Sequence, residues 1–374
     1  MKLLSYEYKE TRSFGLINDS GIVDLGKRYQ HLKDLREVLR SGKLEKIIKE
    51  TRSIDSDFSI EEIKFLPTIP NPEKIICIGV NYANRNAEYK DGSEPPKYPS
   101  VFTRSRESLV GHHQYILDPP ESDQLDYEGE IVIVIGQEGR RIKESEAHEY
   151  IAGLTIMNEG SVRDFLRHAK FNVTQGKNFE RSGSLGPWLV TADELDPMGE
   201  LGVITTVNDE ERQNDTTRNL MFPFRYLISY LSTFYRLKPG DIIATGTPNG
   251  AGARFDPPKY LQNDDVVEVK EASAADFVSS KVNGRSWTFI PGALAISINL
   301  RRVLIVDIYY PAQTFPQIFL NGSKKLGSVG LAMPVVQPGR PTSQLLALSL
   351  LPRTFQQISA PRARWHAAMA RHWK

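Results

Sequence analysis

Cysteine is nearly absent from this chain, and uninterrupted apolar runs of membrane-spanning length are missing. Cys77 is the single cysteine among 374 residues, which excludes an intramolecular disulfide framework and favours a reducing compartment. The nearest approach to a membrane span, at 290–310, is interrupted by Arg301 and Arg302, so no membrane segment is predicted. The first ten residues do not resemble a secretory signal. We therefore expect a cytoplasmic protein.

Net charge is close to zero as well. The 47 Lys and Arg residues oppose 46 Asp and Glu residues, and this balance gives no indication of a nucleic-acid partner. The charges are unevenly placed, because residues 272–374 contain 12 basic but only 2 acidic residues. The same segment shows no clear apolar period. We expect a basic, poorly ordered extension there; a nucleic-acid or acidic-membrane arm is the alternative.

The patterning before that extension predicts two units. Residues 1–65 alternate short apolar strands with a stretch of helical spacing, which predicts a small α+β domain. The proline-rich connector LPTIPNPEK begins the second unit, 66–271, where many short strands are separated by Gly, Pro and Asp. This density of strands favours a β-rich roll or sandwich, so the predicted class is α+β. Neither a G-x-G-x-x-G motif after a strand nor a P-loop motif occurs, which argues against a dinucleotide-binding dehydrogenase and a P-loop NTPase.

Carboxylates are concentrated at the start of one apolar strand. In LDYEGEIVIVIG, Asp126, Glu128 and Glu130 alternate with other residues, so a continuous strand would place all three on one face. Near a core, three like charges repel and raise one another's pKa, which predicts a positive group among them. Acidic residues that only protect a strand edge are the alternative.

Two further signals favour a metal site over edge protection. Glu159 ends another apolar strand, and Lys177 lies between glycine-rich turns. Carboxylates without a neighbouring His or Cys are hard oxygen ligands, which suit Mg²⁺ or Mn²⁺ better than Zn²⁺. We therefore predict a divalent-metal centre.

Eight ordered blocks between Leu66 and Lys270 resemble the fumarylacetoacetate hydrolase family. They are IGVNYANRNAEY, VFTRSRESLVG, DYEGEIVIVIG, GLTIMNEGSVRDF, QGKNF, GPWLVT, LKPGDIIATGTPNG and NDDVVEVK. The resemblance implies a mixed β-roll, usually dimeric, that holds Mg²⁺ or Mn²⁺ and acts on a small 2-oxo or diketo acid. Residues 1–65 look like the small N-terminal domain of bacterial-type members. The segment 272–374 resembles nothing in the family, and a frameshift or read-through product would explain it.

The resemblance also assigns roles around the metal. It implies that Glu128, Glu130 and Glu159 are the ligands and that Asp126 accepts hydrogen bonds behind them. The family usually has Asp at the third position, so Glu159 is a departure whose extra methylene moves the oxygen by about 1 Å. Lys177 matches a lysine beside the metal, where it can stabilise a developing enolate.

Other matched positions imply substrate contacts. Thr247 lies in the family's substrate-cradling turn, and Arg104 occupies a basic position that could clamp a substrate carboxylate. Tyr82 and Asn81 belong to a pocket-forming block.

A catalytic dyad is incomplete in this chain. The family often carries a His followed three residues later by a Glu, which together activate water; here Glu88 is retained but Arg85 replaces the His. An Arg cannot accept a proton at neutral pH. Glu88 remains a predicted catalytic residue and Arg85 a predicted substrate contact. His112, His113 and His168 are the candidate replacements for the base, although structural roles are also expected of them.

The family's reactions share a metal-stabilised enolate. We expect carbon–carbon bond hydrolysis of an acylpyruvate-type acid. The alternatives are isomerisation of a 2-hydroxyhepta-2,4-diene-1,7-dioate-type acid, decarboxylation of a 2-oxo acid, and a homologue that binds metal or ligand without catalysis. Loss of the dyad His argues against hydrolysis, since isomerisation and decarboxylation need no activated water.

Overall fold

The computed structural model describes residues 1–84, 94–169, 172–271 and 277–283, which all lie within one compact unit, Met1–Thr288. Its α-helices are α1 Leu25–Arg28, α2 Leu35–Arg40, α3 Leu44–Thr51, α4 Thr174–Lys177 and α5 Phe224–Phe234. Its strands are β1 Lys2–Tyr8, β2 Thr11–Asn18, β3 Gly21–Asp24, β4 Lys64–Phe65, β5 Ile75–Gly79, β6 Ser100–Thr103, β7 Leu109–Val110, β8 Tyr115–Leu117, β9 Leu125–Asp126, β10 Gly129–Ile135, β11 Ile151–Asn158, β12 Ser161–Val162, β13 Gly183–Thr191, β14 Gly202–Val207, β15 Glu210–Thr216, β16 Ile242–Ala244, β17 Val266–Glu271 and β18 Phe277–Asn283. No helix among these residues is long and apolar enough to cross a membrane.

Among the described residues, the strands form two large mixed sheets and one short strand pair. The larger sheet runs β3-β2-β1-β13-β11-β10-β16-β5-β6, with β4 joined to β1 and β7 to β13. The second sheet runs β15-β14-β17-β18-β8, and β9 pairs with β12 alone. Most pairs are antiparallel, whereas β13–β7, β16–β5 and β18–β8 are parallel. The predicted β-rich α+β roll is confirmed.

Strand β10 explains how the layers are held together. Every residue in it is buried, and its apolar run from Ile131 to Ile135 is typical of a strand covered on both faces. Ile131, Ile133 and Ile135 pack into one core with apolar side chains of α5 and of β14 and β17. Val132 and Val134 pack into a separate core with apolar side chains of β1, β2 and α2. The larger sheet therefore lies between two apolar layers.

The first 65 residues share the larger sheet with the rest of the unit. Lys2 and Leu3 of β1 pair with Val190 and Leu189 of β13. Beyond Glu271, β18 pairs with β17 and β8 in the second sheet. The division into 1–65, 66–271 and 272–374 stays a prediction, and apart from 277–283 the third segment lies outside the described residues.

Candidate metal centre

Strand pairing brings the acidic residues together. Antiparallel pairing sets Gly129 at the start of β10 opposite Asn158 at the end of β11. The Glu159 N–H then donates to the Glu128 carbonyl at 2.7 Å. Side-chain oxygens of Glu128, Glu130 and Glu159 consequently lie within 4.8 Å of one another, and all three residues are buried. The structure thus groups the three predicted ligands, Glu159 included.

A lysine ammonium lies among these carboxylates. Lys177, at the end of α4, donates to Glu128 Oε2 at 2.6 Å and to Glu159 Oε2 at 2.5 Å. Burial by itself would lower the pKa of Lys177, but the two carboxylates outweigh it and raise that pKa above its usual value. The side chain is therefore a buried cation, as the repulsion argument from the sequence predicted.

Arg163 supplies a second buried cation. Its Nε donates to Asp126 Oδ2 at 2.7 Å, and its Nη2 lies 2.7 Å from Glu128 Oε1. Burial would lower the pKa of this guanidinium, but Glu128 and Asp126 raise it. Sequence reasoning missed Arg163. Its position four residues after Glu159, in the same matched block, was the available signal.

Glu130 differs from its neighbours because no ion pair to it occurs among the described residues. Its Oε2 accepts the Gly246 N–H at 2.8 Å. Burial, followed by repulsion from Glu159 and Glu128, raises the pKa of Glu130 well above the usual carboxyl value. Burial also raises the pKa of Glu159, although Lys177 and Arg104 oppose it. A further positive charge beside Glu130 would reverse this effect.

Asp126 lies outside the triad. It belongs to β9, not to β10, so the expectation of one continuous strand with three carboxylates on one face was wrong. Its Oδ1 accepts the Gly252 N–H at 2.8 Å, and its Oδ2 accepts the Ala253 N–H at 2.9 Å in addition to Arg163. These bonds fix Asp126 against the Gly252–Ala253 backbone, in the segment after β16. They account for the interruption between the end of β9 and the start of β10.

Arg104 and Thr247, which were predicted to contact the substrate, form hydrogen bonds with other residues of the protein. The Arg104 side chain is fully buried and donates to Glu159 Oε1 at 2.5 Å. The Thr247 hydroxyl donates to the Gly129 carbonyl at 3.0 Å and accepts from Gln213 Nε2 at 2.8 Å. Gln213 also accepts the Gly129 N–H at 2.9 Å, so it ties the turn to the start of β10. Sequence reasoning missed Gln213.

Of the other predicted pocket residues, Tyr82 and Asn81 lie in the part of the chain that the structure describes. Tyr82 is fully buried in the core that contains α5, and burial raises the pKa of its phenol. Asn81 bonds through its amide to backbone groups of Phe222 and Thr245. Arg85 and Glu88 lie outside the described residues, so their substrate-binding and catalytic roles stay predictions.

The donor set fits a divalent cation. The available ligands are carboxylate oxygens, which hard cations such as Mg²⁺ and Mn²⁺ prefer. Asp126, Glu128, Glu130 and Glu159 carry four negative charges when ionised, against three positive charges on Arg104, Arg163 and Lys177. A divalent ion would convert this excess into one positive charge, which favours an anionic ligand.

Curated proteins that resemble this chain include oxaloacetate tautomerases. It is 39% identical over 215 residues to the oxaloacetate tautomerase YisK of Bacillus subtilis (strain 168), which covers 57% of this chain and 71% of that protein. It is 37% identical over 288 residues to a mitochondrial oxaloacetate tautomerase, fahd2, of Xenopus laevis, which covers 73% of this chain and 88% of that protein.

Solved structures share the fold. A fumarylacetoacetate hydrolase from Exiguobacterium antarcticum superposes with a TM-score of 0.64 at 29% identity, over 76% of this chain and 100% of that chain. A maleylpyruvate hydrolase from Sphingobium sp. SYK-6, solved with manganese(II) and pyruvate, gives 0.63 at 22% identity over the same shares. The family model for the fumarylacetoacetate (FAA) hydrolase C-terminal domain matches residues 74–278. The chain therefore belongs to the fumarylacetoacetate hydrolase family.

Proposed function

We propose that this protein is a divalent-metal-dependent tautomerase of a 2-oxo dicarboxylic acid of the oxaloacetate type. The observation that carries the proposal is the buried triad Glu128, Glu130 and Glu159, with the Lys177 ammonium bonded to two of its members. The two similar oxaloacetate tautomerases support the choice of reaction and substrate. The manganese-bound maleylpyruvate hydrolase supports a divalent metal, either Mg²⁺ or Mn²⁺.

The residues of the site have distinct parts in this chemistry. Glu128, Glu130 and Glu159 would hold the ion, which when bound supplies Lewis-acid stabilisation of the enolate form. Lys177 places a fixed positive charge beside the same oxygens, in a buried site where it needs no reorganisation to stabilise a developing oxyanion. Arg163 holds Glu128 through one nitrogen and Asp126 through another, which keeps the Glu128 carboxylate oriented.

The identity of residue 85 favours tautomerisation over hydrolysis. Keto–enol exchange of oxaloacetate moves one proton between C3 and the C2 oxygen, consumes no water and breaks no carbon–carbon bond. Hydrolysis requires an activated water, and Arg85 cannot accept its proton. Carbon–carbon hydrolysis is the second candidate, favoured by the resemblance to a solved fumarylacetoacetate hydrolase. A homodimer and a cytoplasmic location stay predictions.

The test is an oxaloacetate assay on the full chain. The rate of enol–keto exchange, followed by ultraviolet absorbance, should exceed the spontaneous rate, disappear with EDTA and return with Mg²⁺ or Mn²⁺. Glu130→Gln should lower the rate by more than about 100-fold, because even outer partners of metal ligands cost about 10–100-fold. Glu138→Gln, the same change at a half-exposed position after β10, is the matched control and should leave the rate unchanged.

The same preparation distinguishes the second candidate. Acetylpyruvate is incubated under identical conditions, and acetate and pyruvate are measured by NMR. Metal-dependent cleavage of acetylpyruvate without acceleration of oxaloacetate exchange would replace the tautomerase proposal with the hydrolase. Turnover of neither acid, with Mn²⁺ bound, would favour the non-catalytic homologue.

A further inference from the structure

Arg104 directs all of its N–H donors into the protein. Besides Glu159 Oε1, its Nη1 contacts the Gly160 carbonyl at 2.7 Å. Its Nη2 donates to Ser182 Oγ at 2.8 Å and to the Ser108 carbonyl at 3.5 Å, and its Nε donates to Ser108 Oγ at 3.0 Å. A guanidinium has five N–H donors, and these contacts account for five. With no exposed surface, the side chain has no donor left for a substrate carboxylate.

Glu159 is held at both carboxylate oxygens. Arg104 bonds to Oε1, while Lys177 bonds to Oε2, the same ammonium that bonds to Glu128. Glu has one more rotatable bond than the Asp that the family usually has at this position, so more side-chain freedom must be lost to fix it. A planar guanidinium fixes direction as well as charge, and the carboxylate that Arg104 holds through Oε1 has its Oε2 on the Lys177 ammonium.

We propose that Arg104 is a positioning residue that orients Glu159 for the metal ion and does not clamp the substrate. Ser182 and Ser108, both fully buried, hold the guanidinium in turn. The inference rests on the metal-dependent function proposed above and deepens it by assigning a determinant of metal affinity. It replaces the role that the sequence predicted for Arg104.

Metal binding without substrate tests this assignment. Mn²⁺ affinity of the full chain is measured by isothermal titration calorimetry for the unmodified protein, Arg104→Gln and Arg104→Lys. The Kd of Arg104→Gln should rise about 10–100-fold, the usual cost of losing a partner behind a metal ligand. Arg104→Lys keeps the charge but loses the planar fork, so its Kd should lie between the two. Arg106→Gln, at an exposed arginine two residues on, is the matched control and should be unchanged.

Steady-state kinetics with oxaloacetate tests the alternative role of Arg104 as a substrate clamp. A substrate clamp predicts a raised KM at saturating Mn²⁺ with an unchanged Mn²⁺ Kd, and that result would overturn the assignment. Full recovery of Mn²⁺ affinity by Arg104→Lys would also overturn it, because charge alone would then suffice. If oxaloacetate is not turned over at all, the calorimetric result still decides the role of Arg104, so the two proposals fail separately.

A milder variant covers the case in which Arg104→Gln does not fold. Ser182→Ala removes one hydrogen bond from Nη2 and leaves Arg104 and Glu159 in place. Its Mn²⁺ Kd should rise roughly fivefold, the equivalent of one neutral hydrogen bond. An unchanged Kd in a folded Ser182→Ala protein, shown by circular dichroism, would contradict the proposal.

Discussion

At the scale of single residues, His112 shows how burial changes a titratable group. The sequence left His112 as a candidate base or a structural residue. The structure places its ring 4.9 Å from that of Phe65 in an edge-on contact and 3.7 Å from that of His113. Burial, followed by the neighbouring His113, lowers the pKa of His112 to about 3. His112 is therefore neutral in the folded protein over most of the pH range.

This shift predicts a dependence of stability on pH. An unfolded histidine titrates near pH ~6.5, so below that pH the unfolded chain binds a proton that folded His112 does not. The stabilising contribution is fully present above pH ~6.5 and is lost as the pH falls toward 3. Between pH 7 and 5 the loss should be about 2 kcal/mol. Urea unfolding should show it in the unmodified protein and less of it in His112→Gln, whereas His148→Gln, at an exposed position, should behave like the unmodified protein.

At the scale of elements, the turn after β16 provides a backbone N–H that donates to one carboxylate of the triad. Gly246 has a φ of +103°, and its N–H is the donor to Glu130 Oε2. A Cβ at this position would lie 2.7 Å from Asn81 Cβ, closer than real side chains approach. The motif ATGTPNG thus needs glycine at Gly246 for conformation and for space, and it delivers a backbone donor to a buried carboxylate.

Gly246→Ala should therefore lower both stability and metal affinity. The strained φ and the clash together should cost about 1–3 kcal/mol in urea unfolding. Gly42→Ala is a matched control, because Gly42 also has a positive φ, +63°, but has nothing within 4 Å of an added Cβ. The loss should be larger at Gly246, and only that variant should show a raised Mn²⁺ Kd. Equal losses with equal Mn²⁺ affinity would contradict this explanation.

Other elements show which sequence patterns were sufficient. Apolar residues three and four positions apart in FPFRYLISYLSTFYRL predict a helix, and α5 forms there with its apolar residues in the core that β10 also enters. The acidic stretch was only partly anticipated. Alternation predicted one face for Asp126, Glu128 and Glu130, but bonds from the Gly252 and Ala253 N–H groups to Asp126 separate β9 from β10. Those donors lie 126 and 127 residues away in the chain, where local patterning carries no information.

At the scale of the whole molecule, the first strands and the strands that carry the triad form one sheet. Leu3 of β1 is fully buried and belongs to the same core as Val132 of β10 and Leu189 of β13. Because β1 pairs directly with β13, opening of the N-terminal strands would expose apolar side chains of β10, the strand that includes Glu130. We expect the two regions to unfold together.

Leu3→Ala tests this coupling. Loss of a buried leucine should cost about 2–5 kcal/mol of the free energy of unfolding. Hydrogen exchange followed by mass spectrometry should then show faster exchange in β13 and β11 as well as in β1 and β2. Ile54→Ala, at a partly exposed site, is the control and should change neither. Faster exchange confined to residues 1–65 would instead support an independently stable N-terminal domain.

The amino-acid sequence alone was enough to predict the β-rich class, the helix α5, the family and the three carboxylates that cluster. Those conclusions depend on local periodicity and on ordered motifs, which are properties of the chain alone. Contacts made in the folded protein were needed to show which cations neutralise the carboxylates, that Asp126 belongs to another strand, and that Arg104 bonds to Glu159. These contacts join residues 18 to 127 positions apart, and a buried charge selects its partners by distance and desolvation, not by sequence separation.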